Sequence, residues 1–507
     1  MRALALSMMV AAVAAANCTS APDVSAPECP SPSTCEPPPD SGVDACIADP
    51  AIMPPEDRCG VFVSSSSGSD DNPGTQERPV RSLKTAIMRA QTGTPRIYAC
   101  AEVFSEPVTL PTGIELWGGL DCTRDWTYVG DDQKTLIAPG VDAVPLRINP
   151  GSGTSVVADV HVEASEPSLP GSSSIAVMVI PSAAVEIVRS ELVAGDGAPG
   201  AEGEDGGAEP AQAGTPGSSG GAACSADVVP GGPAVMTVCG DIVSIGGQGG
   251  QGNLASGSDG MNGQPEPSPN PMAWGQGGTG ETSTLQCQGG MQGEDGASGE
   301  HGIGGRGPGR ISMSGYNGEN GQDGSDGLPG QGGGGAGGNR GGTLLCGPGI
   351  NKAGAGGGSG GAGGCGGKGG KGGGPGGASI GLLSLSDRVA VRATTIVTGN
   401  GADGGQGGLA QFGGIGGARG SGGSPFYGAN QGCRGGRGGA GGHGGFGGGG
   451  LGGPSIGIAH MEGALVAQED VTIQIGLPGK GGLGGGVEFS VDGTGEDGIA
   501  AEVLAFP

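Results

Sequence analysis

The chain has 507 residues, of which Gly (123) and Pro (38) make up about a third and 34% are hydrophobic. That glycine load excludes an ordinary, uniformly packed globular protein. The formal net charge is −27 with six lysines, which excludes a binder of nucleic acid or anionic membrane, because both need a basic face to displace counterions; the acidity itself reads as solubility.

Residues 1–17 read as a signal peptide: Arg2, an apolar run over Ala3–Ala16, and Ala14-Ala15-Ala16 as the cleavage pattern. The run is too short to span a bilayer as a helix, and no later segment reads as transmembrane. A small-apolar run that ends in Cys18 resembles the bacterial lipoprotein box, although Asn17 stands where that motif has Gly, Ala or Ser. Cys18 is thus the lipidation candidate, and simple cleavage and lipid attachment both stay open. Without Cys18, twelve of the thirteen Cys remain, an even number. In an exported chain they suit disulfides, Cys224 with Cys239 among the plausible pairs. Residues 18–58 are Pro- and Cys-rich without apolar periodicity and predict an extended stalk.

At "GVFVSSSSGSDDNPGTQERPVRSLKTAIMRA" the character changes. Val61-Phe62-Val63 predicts a strand and the Ser/Asp/Asn/Pro/Gly run a tight turn. Ser82 predicts a cap for a helix whose apolar positions are Leu83, Ala86, Ile87 and Ala90. This strand, turn and helix resemble the opening of many bacterial right-handed parallel β-helices, a family of pectate lyases among them. The resemblance covers about thirty residues and implies a cap followed by stacked coils.

Short Val/Ile/Leu-rich strands follow in "PRIYACAEV", "PVTLPTGIELWGGL", "KTLIAPG", "VPLRINPG" and "TSVVADVHVEAS", with no helical pattern between them. An internal repeat then appears at Ser173, Ala378 and Pro454. Each copy opens on Ser-Ile, makes strand-like pieces and ends in glycine. Ile175, Ile380 and Ile456 align at its head, and Leu192-Val193 with Ile396-Val397 near its tail, which predicts inward ladders of a solenoid. "AVMTVCGDIVSIGGQGGQG" from Ala234 reads as a shorter coil of the same kind. The expected organisation is cap and first coils over 59–195, Gly-rich insertions over 196–377 with a short coil near 234–246, and further coils over 378–507 with an insertion at 399–454. The insertions leave the coil at one corner each time.

The glycine tracts keep a register. Gly recurs every third residue over Gly290–Gly305, Gly315–Gly333 and Gly432–Gly453, and from Gly357 the chain runs GGS, GGA, GGC, GGK, GGK, GGG. The tracts are too short, broken and Pro-poor for collagen. Glycine at every third position gives a three-residue-per-turn helix one bare face, so that such helices can pack side by side. This style is similar to that of the mycobacterial PE-PGRS repeats and a springtail antifreeze protein. The entropy that glycine loses on ordering favours the alternative, disordered loops.

No catalytic constellation emerges. G-x-S-x-G at Gly217–Gly221 and Gly357–Gly361 lies in glycine tracts without a strand-to-helix elbow. Lys368 and Lys371 lack the rest of a phosphate loop. His161, His301, His443 and His460 are scattered without a C-x-x-C, which disfavours zinc. Arg147, Arg189, Arg388 and Arg392 stand apart, so the carboxylate cluster and basic residue implied by the pectate-lyase resemblance are not identifiable. No cofactor is expected; Asp-Gly steps such as "GQDGSDG" are weak Ca²⁺ candidates. The expected protein is an all-β right-handed parallel β-helix with an N-terminal capping helix and long Gly-rich loops. Its expected role is exported, non-catalytic and adhesive or structural at the cell surface, outer membrane or outside the cell, with an extracellular polysaccharide or neighbouring cell as partner. The alternatives are a polysaccharide-binding or pectate-lyase-like enzyme and an ice- or surface-binding glycine-helix protein.

Overall fold

The computed structural model describes residues 46–486 and 493–507. The signal peptide over 1–17, the Cys18 candidate and the stalk as far as residue 45 lie outside the described residues. The strand Val61–Val63 and the helix Leu83–Ala90 form as their sequence dictates, and the Ser82 side chain accepts the N–H of Thr85. The turn between them is held by Asp70, which accepts the N–H groups of Arg81 and Ser82 and the Ser82 hydroxyl. Leu83, Ala86, Ile87 and Ala90 are buried, so the helix lays its apolar stripe over the start of the core.

Three parallel sheets follow, and the chain visits them in rotation. Sheet A includes Arg96–Cys100, Glu115–Asp121, Ser155–Ala158, Ala184–Val188, Arg388–Arg392 and Ala467–Glu469. Sheet B holds Val103–Phe104, Thr135–Ile137, Val160–Ala164, Glu191–Ala194, Thr395–Thr398 and Thr472–Gln474. Sheet C holds Val108–Pro111, Leu146–Asn149, Ser174–Val179, Ser379–Ser384, Ser455–Met461 and Ala500–Phe506. The largest apolar cluster draws on all three, with Ile187 and Val391 from A, Val162, Leu192 and Ile396 from B, and Val177, Leu382 and Ile458 from C. The chain passes from A to B through one residue in the left-handed region: Asp159 (φ 57°), Arg189 (46°), Ala393 (47°) and Asp470 (53°). Buried hydroxyls line the same corner, where Ser190 donates to Val188 O and Thr394 to Arg392 O.

The aligned repeats pair in the register that their sequences predict. Ile175 faces Ile380 and Ile380 faces Ile456; Leu192 faces Ile396 and Val193 faces Val397. The isoleucine ladder is not inward, however. It joins a second cluster with Met178, Leu383 and Phe506 that Ile311 and Tyr316 cover, because the ladder steps past Ala176 and Gly381 and turns the head of each strand to the other face. The piece at 234–246 is not a coil. Val235–Cys239 and Ile242–Gly246 form an antiparallel hairpin in a sheet of their own, turned at Gly240 (φ 61°). A second hairpin, Arg310–Ser312 with Gly315–Asn317, occupies the start of a predicted glycine tract. The insertions at 195–378, 399–454 and 475–499 all leave from sheet B and return to sheet C, at a single corner.

The compact unit includes the described residues from Cys46 onward, past the expected stalk boundary at 58. Cys46 is bonded to Cys59, and Cys46, Met53 and Cys59 pack with Phe62, Tyr98, Trp117 and Trp126 on sheet A. Arg189 completes the attachment: it pairs with Asp49 at 2.9 Å and with Asp159 at 2.7 Å, whose side chain is 2% exposed and also accepts the Tyr128 hydroxyl. Arg189→Ala would leave that carboxylate buried without its cation, and we expect a loss of about 3 kcal/mol in a urea titration.

Candidate functional surface: the glycine bundle

The glycine tracts are ordered. A three-residue turn presents its N–H and C=O groups in three columns, and nothing within such a helix satisfies them. Here the neighbours do. In the segment 353–377, the N–H groups of Gly358, Gly361, Gly364, Gly367, Gly370, Gly373 and Gly376 donate to every third carbonyl between Cys433 and Leu451, at 2.8–3.0 Å. The next column, from Ser359 to Gly377, donates to carbonyls between Ser218 and Ala198 that run the opposite way. Carbonyls of 356–377 accept from 402–423, and those of 358–373 accept from 321–336. The same three-residue rhythm joins 197–220 to 400–421 and 288–303 to 322–337.

Close approach explains the GGX run. A Cβ on Gly361 would strike the Gly417 carbonyl, and one on Gly363 the Gly330 carbonyl, both well inside van der Waals contact. Two columns of the central helix therefore face neighbouring backbones and must be glycine, while the third carries Ser359, Ala362, Cys365, Lys368 and Lys371. The serine of the second G-x-S-x-G match belongs to this packing, with Ser359 fully buried and its hydroxyl accepting the N–H of Ser218, while Ser219 of the first match is exposed.

Many acidic side chains are part of the same array. Asp205 accepts the N–H of Leu409, Asp295 that of Ala440, Asp323 that of Gly372, Asp326 that of Gly369 and Asp403 that of Lys480. The carboxylates of "GQDGSDG", read as weak Ca²⁺ candidates, are thus engaged with backbone, and Asp323 also pairs with Lys371 at 2.8 Å. His443 and His301 accept through Nδ1 from Gly413 and Phe446. Their rings lie against Phe412 and Phe446.

Three disulfides fasten the bundle: Cys224–Cys346, Cys239–Cys365 and Cys287–Cys433. Cys224 and Cys239 are not partners. Each reaches more than 120 residues along the chain, because the segments that touch are distant in sequence. With Cys46–Cys59 and Cys100–Cys122 the described residues hold five disulfides, which indicates an oxidising, extracellular-type environment. Among the described residues no helix is long and apolar enough to cross a membrane.

The scattered arginines are all engaged. Arg392 pairs with Glu186 and Glu469, Arg147 donates to Met313 O, and Arg388 donates to Ser182 O. On sheet B a cavity of about 430 Å³ gathers Glu102, Lys134, His161 and Glu191. His161 Nδ1 lies 3.4 Å from Glu191, and its Nε2 is enclosed without a partner. His460 is buried in sheet C with Nδ1 against Met461 O. Cys100, Glu102 and Cys122 come together as metal ligands would, but the two sulfurs are joined to each other and Glu102 is taken by Ser64, Ser65 and Ser66.

Three carboxylates set an acid limit. The Lys371 ammonium and the Gly372 N–H hold Asp323 below the usual range. Burial opposes ionisation of Glu102, but the donors of Ser66, Ser65 and Ser64 outweigh it; burial likewise opposes ionisation of Asp70, and the donors of Ser82 and Arg81 outweigh it. A pKa depressed on folding contributes stability that is present above the ordinary carboxylate range and lost as pH falls through the folded value. Urea midpoints are therefore expected to hold steady from neutral pH and to fall below about pH 4.

Neither a protein-family model nor a curated protein matches this chain. A solved structure of a rhamnogalacturonan lyase is similar over 26% of this chain and 40% of its own length, at 10% identity and a TM-score of 0.15.

Proposed function

We propose that the chain is an exported, non-catalytic structural or adhesive protein. In this reading the three sheets are the faces of a right-handed parallel β-helix, the hand that parallel crossovers take, and its B-to-C corner carries the glycine bundle outward as a rigid display element at the cell surface or in the surrounding matrix. Attachment through Cys18 belongs to the same proposal. The observation that carries it is the commitment of the bundle's backbone, carboxylates and histidines to one another, which makes the insertions a built surface. The outer face of sheet C supports the non-catalytic side, since Met178, Leu383, Ala459 and Phe506 fill it under Ile311 and Tyr316. The alternative, a polysaccharide lyase, would draw on Glu102, Lys134, His161 and Glu191 on sheet B. Incubation with polygalacturonate and rhamnogalacturonan, read by the absorbance of unsaturated ends, separates the two. We expect no product; product formation that Lys134→Ala abolishes would establish the enzyme.

A further inference from the structure

The glycine array closes around one end of the central segment and opens at the other. Gly357 and Gly360 donate to the carbonyls of Gly250 and Gly247, and the Gly357 carbonyl accepts from Gly232. Those two flanking segments then leave the array as the hairpin Val235–Cys239 and Ile242–Gly246. Along the same column the N–H of Gly363 is met by the Ser244 hydroxyl at 2.7 Å, and those of Gly369 and Gly372 by Asp326 and Asp323. Between them, the N–H and carbonyl of Gly366 meet no protein partner among the described residues. A cavity of about 580 Å³ stands over Gly366, with apolar walls from Val238 and Ile242 at the hairpin tip and from Leu328 and Pro329, and with Asp241, Asp326, Lys368 and Gln411 also in its lining. These walls are apolar yet open to solvent, with Val238 55%, Ile242 41% and Leu328 53% exposed.

We propose that this slot binds an extended polyproline-II segment of a partner polypeptide, uncharged and rich in Pro and Gly. The slot continues the array positions that 247–252 and 229–234 fill two and three turns away, so a helix of the same type fits it. Such a helix offers the partners that Gly366 lacks, a carbonyl for its N–H and an N–H for its carbonyl. Proline rings pack on Val238, Ile242, Leu328 and Pro329, and the preformed conformation limits the entropy lost on binding.

This inference rests on the bundle reading and deepens it by naming the partner. The test uses the full, disulfide-bonded protein and a fluorescent nonapeptide (Gly-Pro-Pro)3, with (Gly-Ala-Ser)3 as the control, read by anisotropy. Saturable binding of the proline peptide is expected, with a Kd on the order of 100 µM, no binding of the control, and at least tenfold weakening in both Leu328→Arg and Val238→Arg. These two side chains are exposed, so the variants keep the fold, which protection of the bundle amides from exchange confirms. Absence of saturable binding, or equal binding by wild type and both variants, overturns the slot. Protected amides without peptide binding would sink the slot alone and leave the bundle standing.

Discussion

Gly363→Val is expected to open the glycine bundle while the three sheets persist. The new side chain would enter the space of the Gly330 carbonyl, a backbone group that neighbours on other sides hold in place. No rotamer relieves the clash, because the Cβ itself makes it. The segments 353–377 and 321–336 must separate, and the hydrogen bonds they share at every third residue are lost together. The cost should reach about 3 kcal/mol, the upper end for an overpacked core. Lys368→Val, in the third column of the same helix where the side chain is exposed, should stay within about 0.5 kcal/mol. Guanidinium titrations of the two variants check the contrast. A disordered tract would tolerate both equally.

Reduction of the disulfides should have the second large effect. Cys224–Cys346, Cys239–Cys365 and Cys287–Cys433 close loops of 122, 126 and 146 residues. Chain entropy assigns each about 5 kcal/mol of constraint on the unfolded state, an amount that native strain and mutual overlap reduce. The bundle depends on these bonds because glycine gives it no side-chain core and because glycine loses the most entropy on ordering. The sheets have an apolar interior of their own and depend less on Cys46–Cys59 and Cys100–Cys122, whose sequence separations are only 13 and 22. Calorimetry of the oxidised protein should thus give one high transition, and full reduction should split off the bundle as an early one. The double substitution Cys239→Ser with Cys365→Ser should lower the bundle transition without moving that of the sheets.

Much of the sheet architecture could be read from residues. The repeat aligned Ile175 with Ile380 and Ile456, and those pairs are backbone neighbours, since parallel strands visited in rotation turn sequence alignment into register. The helix over Leu83–Ala90 and its cap carried local signals that nothing overrides. The hairpin at 235–246 departs from the coil that its sequence predicts, because its strands have the composition of one. Its inverted polarity was the available clue: Thr237 and Ser244 are buried against the bundle, where hydroxyls meet backbone N–H groups, while Met236 and Val238 face outward. Disulfide partners could not be read, because contact in the bundle joins residues up to about 200 positions apart, as Asp205 with Leu409. Order in the glycine tracts was only half legible. The three-residue period marks a bare face, but the neighbour that fills it leaves no mark of its own in the sequence.

The central claim is that the glycine tracts form one hydrogen-bonded body, and amide hydrogen exchange read by mass spectrometry tests it most directly. Segment 356–377, whose N–H groups from Gly356 to Cys365 all donate within the bundle, should exchange as slowly as the strands Ser379–Ser384 and Ser455–Met461. Its protection should decline towards Gly366–Gly372, where the Gly366 N–H has no partner among the described residues and side chains meet those of Gly369 and Gly372. Exchange of 356–377 at the rate of an unstructured peptide, with the strands still protected, would contradict the account.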